Sequence, residues 1–234
     1  MLVRITNQCN MQCGHCMVEA TPQGKHMTEE TFIQTLLFIQ KGPTPIVLIS
    51  GGEPTQHPQI TEFLEQTKKA QLTPLLLSNG QFLHQNPELR EKILSLVHSV
   101  QVTNDPRYYP EHVPDYDHPK VTIVRKLLQL SPHGRQKGKP TNRTAPECYN
   151  LRTLIKHGYS FDQAKITLMS KMKFCTPSIN INGTIVAGEA PSCAAIGHIT
   201  DDPTTITKNV RELDCDNCGL SKNLPEELRK AGGY

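Results

Sequence analysis

Long apolar runs are missing from this sequence: nothing in its 234 residues approaches the ~20 consecutive apolar residues of a membrane-spanning helix, so no membrane association is expected. The opening MLVRIT reads as a strand and lacks the charged-then-apolar layout of a secretory signal, which points to a cytoplasmic protein. Charge of one sign is not in excess. The net charge of +3 gives no clear nucleic-acid signal. Internal repeats and long low-complexity stretches are absent too, and the chain is a little short for a complete eight-unit α/β barrel, which takes about 250 residues. One sizeable domain, or a domain plus a small appendage, fits the length.

Cysteine, by contrast, is plentiful: eight residues, sorted as Cys9, Cys13 and Cys16, then Cys148 alone, then Cys175, Cys193, Cys215 and Cys218. Beside a start that carries no signal, this usage indicates metal ligation in a reducing compartment instead of disulfides. Cys-x3-Cys-x2-Cys, in a turn-like run directly after a short strand, can grip one iron–sulfur cube from three sides. Three ligands leave one iron open, and an open position separates reactive metal sites from closed structural ones. A structural zinc knot completed by His15 is the alternative for this stretch.

Along the chain, strand-like and helical segments alternate. Strands are predicted at Leu2–Thr6, Pro45–Ile49, Pro74–Leu77, Val100–Thr103 and Lys120–Val124. Helices are predicted from a Thr28 cap to Lys41, from Pro58 to about Ala70, and over Pro87–Val97, each with apolar residues at helical spacing. Such alternation indicates βα units around a parallel sheet. The chemistry of these folds sits at the carboxyl ends of the strands. The Cys loop, Gly51-Gly52-Glu53-Pro54, Ser78-Asn79-Gly80 and Thr103-Asn104-Asp105 all follow strands, so all four fall on one rim. Residues 106–119 carry Pro106, Pro110, Pro114 and Pro119 with Tyr108, Tyr109 and Tyr116 between them, which forbids a regular helix and leaves either a lid or an irregular connection. The run LLQLSP is open between strand and helix. Residues 132–146 read as a basic Pro/Gly-rich loop, in which Arg135, Lys137, Lys139 and Arg143 are expected to be solvated.

At the Cys9-Cys13-Cys16 loop and Gly51-Gly52-Glu53-Pro54 the chain resembles the radical S-adenosylmethionine (radical SAM) superfamily. The resemblance implies a 4Fe-4S cluster on the three cysteines, with the open iron chelated by the amino and carboxylate groups of SAM. Reductive cleavage of SAM then yields a 5′-deoxyadenosyl radical that takes a hydrogen atom from substrate. It further implies that the Gly51–Gly52 backbone and the Glu53 carboxylate receive the SAM ammonium group. The position before the third cysteine is usually aromatic in the family, and His15 stands there; an imidazole can also stack on adenine. Ser78, Asn79 and Asp105 could bond SAM through its ribose or carboxylate, or serve only as helix caps. Arg125 could pair with the SAM carboxylate as a bidentate donor, or be a solvated surface residue.

Between Cys175 and Cys193, Ser178 to Val186 reads as a hairpin with an Asn-Gly turn. With Cys215 and Cys218 it can fold four thiolates around one centre, either a structural zinc or, by resemblance to the SPASM and twitch regions of radical SAM enzymes, one auxiliary 4Fe-4S cluster. Cys148 has no partner in the spacing and reads as a small buried apolar residue, with a catalytic or substituting-ligand role as the alternative. The fold expected is α/β, an incomplete parallel barrel of about six βα units over residues 1–145, followed by a cluster-binding hairpin-plus-helix region over residues 146–234. The function expected is radical SAM chemistry on a peptide or protein, served by an electron donor such as flavodoxin or ferredoxin. A small-metabolite reaction and glycyl-radical activation stay open, as does a non-enzymatic electron carrier or zinc-stabilised binding module. A precursor-peptide domain ahead of the barrel is not seen.

Overall fold

The structure, a computed structural model, describes residues 1–127, 130, 133–137, 150–170 and 175–214. Five parallel strands open the chain: β1 (Leu2–Thr6), β2 (Ile46–Gly51), β3 (Thr73–Ser78), β4 (Ser99–Thr103) and β5 (Val121–Val124). Between them lie α1 (Glu29–Gln40), α2 (Ile60–Lys69), the single turn α3 (Phe82–Gln85) and α4 (Pro87–Leu96). Helices α5 (Leu151–Lys156) and α6 (Phe161–Ser170) come next, then β6 (Ser178–Ile179), β7 (Thr184–Val186), β8 (Ala195–His198) and α7 (Pro203–Arg211).

Local chemistry sets the helix starts. Thr28 accepts the N–H of Thr31 and Asn86 accepts that of Leu89, each filling one orphan donor of a first turn, and Glu29 and Glu30 meet the positive end of α1. Pro87 follows its cap at the position where a missing N–H costs nothing.

All eight strands form one sheet in the order β5-β4-β3-β2-β1-β6-β7-β8, with two free edges, so the barrel does not close. Pairing is parallel from β5 through β6, and β7 and β8 are antiparallel additions. The predicted hairpin therefore forms, and its first strand extends the main sheet by pairing with β1. Strand alternation splits the sheet into two faces. Val3, Ile5, Val47, Ile49, Leu76, Val100 and Val102 pack with Phe32, Leu36, Phe63 and Ile93 into the core, where the Phe32 and Phe63 rings stack at 4.0 Å. Helices α5 to α7 continue the same layer, contributing Leu154, Leu168, Ile206 and Val210. The other face presents the half-exposed Ser50, Leu77, Gln101 and Thr103.

The predicted helix from Pro58 begins two residues later, after a 3-10 turn at Pro54–Gln56. Residues 106–119 contain neither helix nor strand, as the prolines require. Helices α5 and α6 were not foreseen; their apolar spacing is short and lies beyond the regular βα alternation. Cys148, Lys139, Arg143, Cys215, Cys218 and part of the LLQLSP run lie outside the described residues.

Candidate active site

The Cys loop leaves the carboxyl end of β1 and folds back on itself. Asn7 N–H donates to Lys25 O at 2.8 Å, Cys9 N–H to Thr21 O at 2.9 Å, and Met27 N–H returns to Ile5 O at 2.7 Å. The loop after β2 closes on it: Gly52 N–H donates to Thr6 O at 2.7 Å and Glu53 N–H to Gln8 O at 2.8 Å. This contact explains the glycine pair. A Cβ on Gly51 would lie 2.4 Å from Thr6 O, and one on Gly52 would lie 2.3 Å from Gln8 O. The approach that demands glycine is therefore made by the chain's own backbone, where the sequence had suggested a ligand.

Cys9 and Cys13 are buried and Cys16 half-buried, in a small apolar cluster with Met11, Ala20, Val113 and Tyr109. Burial is the main force that pushes the Cys9 thiol up to about 11 and the Cys13 thiol up to about 12, and the neighbouring thiols add to both. Three thiols gathered in one loop, two of them held against ionisation by burial, match a cationic iron core, which stabilises the thiolate form when it binds. The donor set thus fits a cluster. Among the described residues, no three His, Cys, Asp or Glu side chains converge as ligands of a single metal ion.

Glu53 is 1% exposed. Its Oε1 accepts Thr55 N–H at 3.2 Å, Thr55 Oγ1 at 2.8 Å and Ser78 Oγ at 2.9 Å, while Oε2 accepts Asn79 N–H at 2.7 Å. Burial raises its proton affinity, and these four donors work against that rise. Ser78 and Asn79 are likewise engaged within the protein, since Asn79 Nδ2 donates to Asn10 Oδ1 at 2.7 Å. Asn10 Nδ2 in turn donates to Gln81 Oε1, and Gln81 Nε2 to Glu111 Oε2. An amide chain thus crosses the rim from the Cys loop to the Pro-rich segment.

The remaining predicted residues occupy different positions. Asp105 is clasped by Arg107, through Nε at 2.9 Å and Nη2 at 2.5 Å, and accepts Leu127 N–H at 2.7 Å. The Arg107 guanidinium holds its carboxyl well below the usual carboxylate range. Arg125 donates to Asn104 Oδ1 at 3.0 Å, Val113 O at 2.6 Å and Asp115 Oδ1 at 2.5 Å. Partly exposed but bonded, it anchors residues 106–119, assisted by the fully buried Asn104, which bonds Glu111 O and Val113 N. That segment covers the Cys loop, with the His15 ring 5.5 Å from Tyr108 and 4.9 Å from Tyr109. The segment is the irregular connection that its prolines require, and it lies over the Cys loop. Burial lowers the proton affinity of His15, whose Nδ1 has no partner.

Arg4 and Arg135 were missed as site residues. Arg4, 2% exposed, lies on the face of the sheet away from the helices, opposite Ser50, and donates to Ser178 Oγ at 2.9 Å and Asn180 Oδ1 at 2.8 Å. Arg135, expected to be solvated, donates to Cys13 O at 2.8 Å and Ala20 O at 2.9 Å. Neither contact leaves a local sequence signal. Cys175 precedes β6 and Cys193 lies between β7 and β8; beside Cys193, Ser192 Oγ meets His133 Nδ1 at 3.1 Å.

Residues 3–129 match the Radical SAM superfamily. The chain belongs to the radical SAM superfamily. The family's members are enzymes, and the family implies a 4Fe-4S cluster and S-adenosylmethionine. Relatives of this radical SAM protein include the AdoMet-dependent heme synthase of Methanosarcina barkeri, 36% identical over 94 residues (38% of this chain and 26% of that protein). A probable GTP 3′,8-cyclase of Methanocaldococcus jannaschii is 28% identical over 134 residues, or 55% of this chain and 45% of that one. The chain thus matches less than half the length of these curated relatives. Among solved structures, BtrN in complex with AdoMet and 2-DOIA superposes with a TM-score of 0.61 at 15% identity, covering 95% of this chain and 90% of BtrN. AnSMEcpe with bound AdoMet gives 0.54 at 15% identity over 98% of this chain and 85% of that one. Both likenesses concern the fold. No helix among the described residues is long and apolar enough to cross a membrane.

Proposed function

We propose that this radical SAM enzyme binds its cluster through Cys9, Cys13 and Cys16 and holds SAM on the rim beside them. The observation that carries the reading is the closure of the Gly51–Glu53 backbone onto Thr6 and Gln8, which sets the family's second motif directly against the three-cysteine loop. When bound, the cluster and SAM supply a 5′-deoxyadenosyl radical. The chain's own residues orient and exclude. Gly51 and Gly52 keep the backbone close enough for the two loops to act as one wall. Glu53 braces that wall through Thr55, Ser78 and Asn79, while its Oε2, which accepts only Asn79 N–H, keeps room for the SAM ammonium group. His15, Tyr108 and Tyr109 form an aromatic surface beside the loop on which adenine can stack, and the 106–119 segment shields the thiols from water. Asp105 and Arg125 act through this cover, which they anchor. The position of His15 between two tyrosine rings argues against its completing a zinc knot.

For the C-terminal half we propose a twitch-like auxiliary region on Cys175, Cys193, Cys215 and Cys218, beginning near residue 146. Its support is the hairpin of β6 and β7, which puts Cys175 and Cys193 in loops at the same end of that hairpin. The substrate we favour is a peptide or protein, in a cytoplasmic reaction driven by a flavodoxin- or ferredoxin-type donor. The names of the two curated relatives favour a small-molecule reaction as the second reading.

Anaerobic reconstitution followed by iron and sulfide assay, then reduction with SAM, tests both levels. Formation of 5′-deoxyadenosine that disappears in Cys13→Ala establishes the radical chemistry. About eight irons per chain indicate two clusters, and about four plus zinc make the second site a scaffold. A fully loaded, reducible cluster that never yields 5′-deoxyadenosine, even with candidate peptides present, refutes the assignment.

A further inference from the structure

The segment after β5 returns to the Cys loop and grips it. Gly134–Gln136 forms a single 3-10 turn. Arg135 N–H donates to Cys16 O at 3.0 Å, its Nε to Cys13 O at 2.8 Å and its Nη1 to Ala20 O at 2.9 Å. One residue thereby satisfies three carbonyls of the loop, two of them on proposed ligands. The turn is built for this contact: Gly134 has φ +59°, and a Cβ there would lie 2.4 Å from Cys16 O. The third guanidinium nitrogen, Nη2, is buried and has no hydrogen-bond partner. Arg135 forms no ion pair among the described residues, so its charge stands uncompensated beside the thiols.

A fixed positive charge next to a cluster favours its reduced form, which carries one more negative charge, and hydrogen bonds from outside the ligand set act in the same direction. We propose that Arg135 is a positioning residue for the cluster, holding the Cys13–Cys16 turn in its ligating shape and raising the cluster's reduction potential through its guanidinium. This inference rests on Cys9, Cys13 and Cys16 being the cluster ligands. It assigns a task to a residue outside the matched family region, on a segment whose composition alone reads as a solvated basic loop. Lysine would keep the charge but cannot span two carbonyls with a planar fork.

The test compares the reconstituted full-length wild-type protein with Arg135→Gln and Arg135→Lys by iron content, EPR-monitored redox titration and the rate of iron loss to a chelator. In Arg135→Gln the ratio of reduced to oxidised cluster at the wild-type midpoint falls about tenfold, equivalent to about 59 mV for a one-electron couple. Arg135→Lys stays within about twofold of wild type in that ratio but loses iron to the chelator several-fold faster. If Arg135→Gln cannot hold a cluster while Arg135→Lys holds one at the wild-type midpoint, the charge is again the shared cause and the proposal stands. Full cluster occupancy in Arg135→Gln at an unchanged midpoint overturns it. Loss of the cluster in both variants overturns the electrostatic half of the proposal, because the charge alone then does nothing, and supports the positioning half, because neither side chain supplies the fork. A wild-type protein that binds no iron contradicts the ligand assignment itself, and that result is read before any variant is made.

Discussion

The Glu53 carboxylate accepts the backbone N–H of Asn79 at 2.7 Å, and this bond ties the loop after β2 to the loop after β3. With Thr55 and Ser78 on its other oxygen, Glu53 is the shared acceptor of two rim loops. Glu53→Gln replaces one acceptor oxygen with an NH2 group that faces other donors. We expect a loss of about 1–3 kcal/mol in urea unfolding of the apoprotein, together with weakened SAM binding. Unchanged stability would show that the network is dispensable.

Glycine requirements differ sharply around the site. Gly52→Ala and Gly24→Ala place a Cβ 2.3 Å from Gln8 O and 2.0 Å from Asn7 C respectively, whereas a Cβ on Gly14 meets nothing within 4 Å. In apoprotein thermal unfolding, the first two substitutions should lower the melting temperature by several degrees or more, and Gly14→Ala should leave it nearly unchanged.

Tyr109 packs its ring on the small cluster that contains Cys9 and Cys13. Tyr109→Phe preserves that packing. Tyr109→Ala removes it, with an expected cost of about 2 kcal/mol and faster reaction of the apoprotein thiols with a disulfide reagent. Equal thiol reactivity in all three proteins would refute the role of the 106–119 segment as a cover.

Glu189 provides a pH signature. Burial pushes its carboxyl up to about 7 from an ordinary 4.5, opposed in part by Arg4. Between those values the folded chain holds a proton that the unfolded chain has released, so stability falls as pH rises from 4.5 to about 7 and levels off above. Glu189→Gln should flatten this slope in urea midpoints measured from pH 4.5 to 8. Parallel slopes in the two proteins would contradict the assignment.

Arg4 is a buried cation that, among the described residues, donates its side-chain hydrogen bonds to the neutral Ser178 and Asn180 and lies within electrostatic reach of Glu189. Arg4→Met removes the desolvation cost of the guanidinium but also the charge that faces Glu189, so it should stay within about 2 kcal/mol of wild type and raise the proton affinity of Glu189 further. A larger loss in calorimetry would show that the two hydrogen bonds outweigh the desolvation of the guanidinium.

The α/β class, the five parallel strands, the helix cap at Thr28 and the gathering of four loops on one rim were legible in the sequence, because each follows from spacing over a few residues. The Asn-Gly hairpin was legible too, but its union with β1 was not. Ser178 and Leu2 meet across 176 residues, and no periodicity announces a partner strand. Individual side-chain partners were the least legible. Glu53 and Arg125 are the residue types that recognise SAM's charged groups, and the structure engages both with protein atoms.

By itself, then, the sequence determined the order of the elements, the three-cysteine spacing and the turn that carries it, all of them products of local backbone preference and hydrophobic period. Tertiary structure alone decided which groups surround those cysteines: Gly52 against Gln8, Tyr109 over Cys13, Arg135 on the carbonyls of Cys13 and Cys16. The reason is physical. These contacts join residues up to 122 positions apart, and hydrogen bonds and van der Waals contacts between them acquire energy only after the sheet has closed the distance.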